Sequence, residues 1–250
     1  MVEQKAFVLH VRPFKENQQL VELLTEREGK VSALVYVGQS KRSIKKALLQ
    51  PFLPLSVTFK ENTTRSHRLR MLTRVEANSK SYVLTKNSLY SAFYLNELIV
   101  RLLTDDIICD TLFSQYHSTL AALSQNLSIA PHLRQFELCL LDELGLSLDF
   151  TPVFEQNSVN IAGFYYVAEQ GFMPAYHYGI ENITTPWFNT LHLQAIAEQN
   201  YDRNTPELSG VEQTFKLLMR QVFHHLLEGK PLNSRKLFEM KNTINSSNTK

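Results

Sequence analysis

The spacing of apolar residues changes once along this chain, near Ser81, and that change restricts the fold more than any other feature of the sequence. Before it, short apolar runs follow the period of a strand. After it, apolar residues recur every three or four positions, as on one face of a helix. The first part holds five strand candidates: Lys5 to Val11, ended by Pro13; Gln19 to Thr25; Val31 to Val37; Leu55 to Lys60; and His67 to Val75. Glu28-Gly29-Lys30 joins the second to the third as a hairpin turn. In the fifth, Leu69, Met71, Thr73 and Val75 are expected on one face, with Arg68, Arg70, Leu72 and Arg74 on the other. Five short strands in about 80 residues suit a small, partly open OB-type barrel, with an SH3-like barrel as the competitor. The expected fold class is therefore α+β. An OB barrel over residues 1–80 precedes a mostly helical domain over 81–240, with a non-helical insertion at about 150–190 and a disordered polar tail over 241–250.

Charge divides at the same place. Residues 1–80 carry 15 Lys/Arg against 7 Asp/Glu, a balance of +8, and the remainder carries 11 against 17, a balance of −6. A basic module joined to an acidic one implies an anionic partner for the first. The cations concentrate between the third and fourth strands, where Lys41, Arg42, Lys45 and Lys46 fall within six residues between two apolar runs. Buried flanks would fix such a loop and present its charge to phosphates; the plainer alternative is a solvated loop. Ser43 to Leu49 is expected as a short helix, with Ile44, Leu48 and Ala47 inward and Lys45 and Lys46 in water. Arg12, Arg68, Arg70 and Arg74 extend the basic set. Single strands are held by cations together with aromatic platforms. Phe14, Tyr36 and Phe52 are the candidate stacking residues, with Phe59 a weaker one and core packing the competing role for each. Phe7 is assigned to the core.

The second part reads as helices over Leu89 to Leu103, Asp106 to Leu123 and Ala130 to Leu144, the last stopped by Gly145. HLQAIAEQN and Val211 to Leu227 follow, then a short piece from Ser234 to Met240. Between them, NIAGFYYVAEQGFMPAYHYG reads as a hairpin turning at Glu169 to Gly171.

Several classes of chemistry have no motif here. Neither phosphate-binding glycine loop is present, nor GxSxG, nor HExxH. Asp105-Asp106 reads as an acidic pair at a helix N-terminus rather than a metal site. His224-His225 lies on a helix, where adjacent rings diverge by about 100°. Cys109 and Cys139 are expected as buried free thiols. No metal, cofactor or catalytic residue is expected. With no signal peptide or long apolar run, a cytoplasmic protein is expected.

KAFVLHVRPF, GKVSALVYVGQSKRS followed by ALLQPFLPL, LYSAFYLNEL, LRQFELCLLDELG and GKPLNSRKLF together resemble the RecO family of bacterial DNA-repair proteins, in family order to about Phe238. The likeness is strongest to the gammaproteobacterial branch. It implies binding of single- and double-stranded DNA and annealing of complementary strands. It also implies contacts with RecR and with single-stranded DNA-binding protein (SSB), and indirect help in loading RecA. The implied protein is a nucleoid-associated, non-enzymatic monomer. Many relatives carry a four-cysteine zinc site, whereas residues 150–178 contain no cysteine. The hairpin is then expected to be held by Phe154, Phe164, Tyr165, Tyr166 and Phe172. The match at LRQFEL implies that the acidic SSB tail docks at Arg134 and Leu138, against the alternative that Arg134 pairs with Glu137 or Asp142. Two other readings remain open from the residues alone: an RNA-binding OB protein, and a metal-dependent nuclease.

Overall fold

The computed structural model describes residues 2–38, 43–60, 69–105, 107–125, 127–156, 159–178, 185–200 and 205–237. They form two compact units. One holds the described residues up to Leu144 together with those from Leu232, and the other holds Gly145–Pro231.

The first unit begins with β1 (Glu3–Phe14), β2 (Gln18–Thr25), β3 (Gly29–Tyr36), β4 (Leu55–Phe59) and β5 (Leu69–Ala77). They close into a barrel in the order β1-β2-β3-β5-β4, with β4 returning to β1 and only β3–β5 parallel. This is an OB-like barrel, as its five short strands predict. Alternate residues of the strands fill it: Val8, Val21, Leu23, Val31, Ala33, Val35, Leu55, Val57, Leu72 and Val75 are all buried. The short helix α1 (Ile44–Leu48) follows β3, its N-cap Ser43 accepting from the Lys46 N–H. Its inward face differs from the expected one. Ile44 is 78% exposed and Ala47 is exposed; of the expected inward residues Leu48 meets the barrel, joined by the buried Leu49 just beyond the helix. A helix of five residues has too few turns to present a full apolar stripe, so the residue at its C-cap carries the contact.

Three helices pack beside the barrel: α2 (Lys86–Leu102), α3 (Asp110–Ser124) and α4 (Ile129–Glu143). Phe7 meets them. It is buried on the outer side of β1, its ring 5.1 Å from Tyr116 and 5.6 Å from Phe113. A bulge between Val8 and His10 takes Leu9 out of the β1–β2 ladder. The Leu9 carbonyl accepts instead from Asn96 Nδ2 at 3.0 Å, and Asn96 Oδ1 accepts from the Tyr116 hydroxyl at 2.6 Å. A buried polar chain thus ties β1, α2 and α3 together with its donors and acceptors matched. Lys30, nearly buried, donates to the Val100 carbonyl at 3.2 Å and pairs with Asp105 at 3.3 Å. Asp105 therefore belongs to the α2–α3 connection and not to a helix N-terminus; Asp106 lies outside the described residues. Gly29 adopts φ +66°, and a Cβ there would lie 1.8 Å from the Ile107 carbonyl oxygen. Only glycine admits both that backbone and that approach.

The second unit contains α5 (Thr151–Glu155), β6 (Ile161–Val167), β7 (Gly171–Tyr176), β8 (Trp187–Phe188), α6 (Thr190–Ala197) and α7 (Val211–Leu226). The hairpin turns where expected, with Glu169 and Gly171 both at positive φ, and β8 joins the free edge of β6. Phe164 and Phe172 are buried, and Tyr166 meets Phe172 edge-on at 5.6 Å. Phe154 and Tyr165 do not share that core: Phe154 is 39% exposed, and Tyr165 lies on the opposite face of the sheet in one row with Trp187 and Met173. Phe150, 4.9 Å from Phe172, takes the place assigned to Phe154.

Both cysteines are free; Cys109 is buried as expected, whereas Cys139 is only half-buried. Burial, reinforced by Glu143, pushes the Cys109 thiol up to about 12 and the Cys139 thiol up to about 11, so neither is a ready nucleophile.

Candidate nucleic-acid interface

Directly paired residues on neighbouring strands point to the same side of a sheet. The pairings therefore assemble the outer face of the barrel row by row. Phe14, Gln18 and Tyr36 form one row across β1, β2 and β3. Arg12, Leu20, Leu34 and Met71 form the next, reaching β5. His10, Glu22, Ser32 and Leu69 form a third. The row through Phe7, Leu24 and Lys30 is buried, so the open area starts beyond it. Tyr36 is 56% exposed, and Phe14, Met71 and Leu69 are each exposed by more than a third. Large side chains left in water in adjoining rows, rather than scattered singly, make this face the candidate surface.

Cations border this face. Arg12 is exposed within it. Lys15, which the sequence reading passed over, lies 5.7 Å from the centre of the Phe14 ring; its place in the turn directly after a candidate stacking residue was the available signal. Lys45 donates to the Thr73 carbonyl at 3.2 Å, which brings α1 against β5, and Lys46 is exposed beside it. Lys41, Arg42 and Arg68 lie outside the described residues.

The arginines of β5 do not share a face. The β4–β5 ladder pairs Thr58 with Arg74 and Phe59 with Leu72, which leaves Thr73 as a bulge. The extra residue reverses the alternation, so Leu72 and Val75 are both buried although three apart. Arg70 turns inward, pairs with Glu28 and places its guanidinium 4.9 Å from the centre of the Phe59 ring. Arg74 faces solvent and pairs with Glu76 at 2.9 Å. The single charged face expected for this strand is thus corrected by one inserted residue.

Phe52 also departs from expectation. It is 5% exposed and meets Phe93 edge-on at 5.0 Å, while its carbonyl accepts from the Tyr82 N–H at 3.1 Å. Its ring packs the interior and leaves no face for a base. Phe59 is likewise in the barrel core.

Arg134 sits on α4 with only 12% of its side chain exposed, and its Nη2 is 2.6 Å from Glu137 Oε1. The pairing named as the alternative in the sequence reading is therefore present. Leu138, one turn on, is half-buried. Glu137 is fully buried and also accepts from the Tyr94 hydroxyl at 2.7 Å. Burial pushes its carboxyl up to about 7, against the opposing pull of Arg134, Tyr94 and Arg235. Arg235 is held nearby by a helical turn at residues 233–237, whose backbone N–H groups at Asn233 and Ser234 donate to Glu97 at 2.8 Å each.

Among the described residues, no group of three or more His, Cys, Asp or Glu is placed to hold a metal ion. No helix among them is long and apolar enough to cross a membrane.

Residues 1–79 match the sequence family described as "Recombination protein O N terminal", and residues 85–173 match "Recombination protein O C terminal". The chain is 35% identical to the DNA repair protein RecO of Cellvibrio japonicus over 94% of its own length and 95% of the relative's. It is 38% identical to that of Tolumonas auensis over 93% of each chain, and 33% identical to that of Stutzerimonas stutzeri over 95% of its own length and 93% of the relative's. With an OB-like barrel at its start, helices behind it and near full-length identity of this order, the chain belongs to the RecO family.

Proposed function

We propose that this protein acts in recombinational DNA repair by holding DNA strands on the outer face of its barrel and annealing them. On this reading it works with RecR to help load RecA onto SSB-coated DNA, and the acidic SSB tail docks at Arg134 and Leu138. The observation that carries the DNA reading is the run of Phe14, Tyr36, Arg12 and Met71 over adjoining exposed rows, bordered by Lys15, Lys45 and Lys46. Flat rings offer stacking to any base, and the surrounding cations offer phosphate contacts, so the surface suits single strands without sequence preference. Annealing needs no bond chemistry. Two strands repel through their phosphates, and a basic surface touching both lowers that repulsion until bases meet.

The test is the ionic-strength dependence of binding to a single-stranded oligonucleotide. If about five phosphates are engaged, log K falls against log salt with a slope near −3.5 to −4.5. Changing Lys45 and Lys46 to Glu reduces both affinity and annealing rate. A slope near zero, or unchanged annealing in that double variant, refutes the electrostatic mechanism. Matched DNA and RNA strands separate this reading from an RNA-binding one.

A further inference from the structure

Arg134 and Glu137 form an incomplete pair. Arg134 Nη2 engages Glu137 Oε1, yet Arg134 Nε and Glu137 Oε2 are both buried without a hydrogen-bond partner. A guanidinium carries five N–H donors in a fork matched to a carboxylate, and buried polar atoms are rarely left unpaired. The charges are also unequal. Arg134 on α4 and Arg235 on the 233–237 turn both act on the one carboxyl of Glu137, and the Tyr94 hydroxyl of α2 donates to it. Two guanidinium groups thus act on one fully buried carboxyl, and 12% of the Arg134 side chain stays exposed.

We infer that Arg134, Arg235 and Glu137 form a proton-linked receptor for the terminal carboxylate of an acidic peptide: the incoming carboxylate takes over the Arg134 guanidinium while Glu137 takes up a proton from solvent. This rests on the tail-docking reading above and adds its regulation. Two carboxylates sharing one guanidinium in a buried setting repel, and the cheaper arrangement leaves one of them neutral. Glu137 is the one that yields, because burial already favours its neutral form and because its free Oε2 can hold the proton. Until then Glu137 occupies the guanidinium and acts as an internal competitor for the peptide.

The experiment titrates the full-length protein with a ten-residue peptide bearing four aspartates, an apolar last residue and a free C-terminal carboxylate, using the C-terminal amide as control. Between pH 7 and 8.5 the peptide's own carboxylates stay ionised, their pKa values lying near ~4. Kd weakens by up to about tenfold for each pH unit above 7, the limit for uptake of one proton. Calorimetry in two buffers of different ionisation heat shows proton uptake on binding. Glu137→Gln binds more tightly than the unaltered protein at pH 8 and loses the pH dependence. His132, two residues from Arg134, is retained in that variant, so its contribution separates from that of Glu137. Should the variant misfold, the two-buffer calorimetry is repeated on His132→Gln: proton uptake that persists there keeps the linkage at Glu137, and its loss overturns it. Binding with one Kd from pH 6 to 8.5 and no buffer-dependent heat overturns the proton linkage and leaves docking intact. No binding at any pH, with DNA binding retained, overturns the docking reading and the linkage with it.

Discussion

Arg70 and Arg74 stand four residues apart on one strand, yet the first lies over the Phe59 ring inside the barrel and the second faces water. A bulge at Thr73, secured by its hydroxyl donating to the Thr58 carbonyl at 2.8 Å, separates their roles. Arg70→Ala removes a cation–π contact and the partner of Glu28, and is expected to lower stability by about 1–2 kcal/mol. Arg74→Ala is expected to leave the melting temperature within about 1 °C, since exposed pairs contribute little, while weakening DNA binding and flattening its salt dependence. Thermal melts and oligonucleotide titrations on the two variants check both halves.

Exposed and buried aromatics should part in the same way. Tyr36→Ala and Phe14→Ala each lose about 1–3 kcal/mol of single-strand affinity, the range for one stacked base, with the fold unaffected. Phe52→Ala instead costs about 3–5 kcal/mol of stability, as for a large ring removed from a core. Denaturant unfolding beside anisotropy titrations distinguishes the two outcomes.

Two carboxyl groups of the first unit drive stability in opposite directions with pH. At Glu97, burial pushes the carboxyl up, but the N–H groups of Ser234 and Asn233, with Arg101, hold it below the usual range. Its contribution is full above the unfolded value near ~4.3 and is lost as pH falls through the folded one. Glu137, pushed up to about 7, behaves in reverse. The native state binds its proton more tightly than the unfolded chain does, so stability falls as pH rises from ~4.3 through 7. Glu97→Gln is therefore most destabilising at neutral pH, and its cost shrinks as pH falls below the unfolded value of ~4.3. Glu137→Gln gains relative stability as pH rises to 8. Unfolding curves at pH 4, 6 and 8 for both variants test the signs.

Gly29→Ala is expected to destabilise by at least about 2 kcal/mol, because positive φ and collision with the Ile107 carbonyl add together. Gly171→Ala, at φ +81° but with nothing within 4 Å of the added carbon, is expected to cost about 1 kcal/mol. Paired chemical denaturation of the two variants measures the difference.

Much of the architecture was legible without coordinates. The five strands, the three helices after Ser81, the hairpin at Glu169 to Gly171 and the OB-like barrel follow from apolar period and turn chemistry, which are local properties of the chain. The cation-rich segment and the rings Phe14 and Tyr36 were nominated from residue type, on the same footing as Phe52; which of the three rings would be left exposed was not legible. Lys41, Arg42 and Arg68 remain nominated by sequence alone.

What the tertiary structure decided are the matters that depend on partners far along the chain. A one-residue bulge in β5 sent Arg70 inward and Arg74 outward, and no periodicity in residues 69–77 foretells it, since it is set by register against β4. Phe52 became interior because Phe93 packs against it, and Arg134 met a fully buried Glu137 because α2 and the turn at 233–237 cover that side of α4. Sequence determines which segments become strands and helices and where positive charge gathers. Packing determines which of those charges and rings are left for a ligand, because burial is settled by residues that sequence order keeps apart.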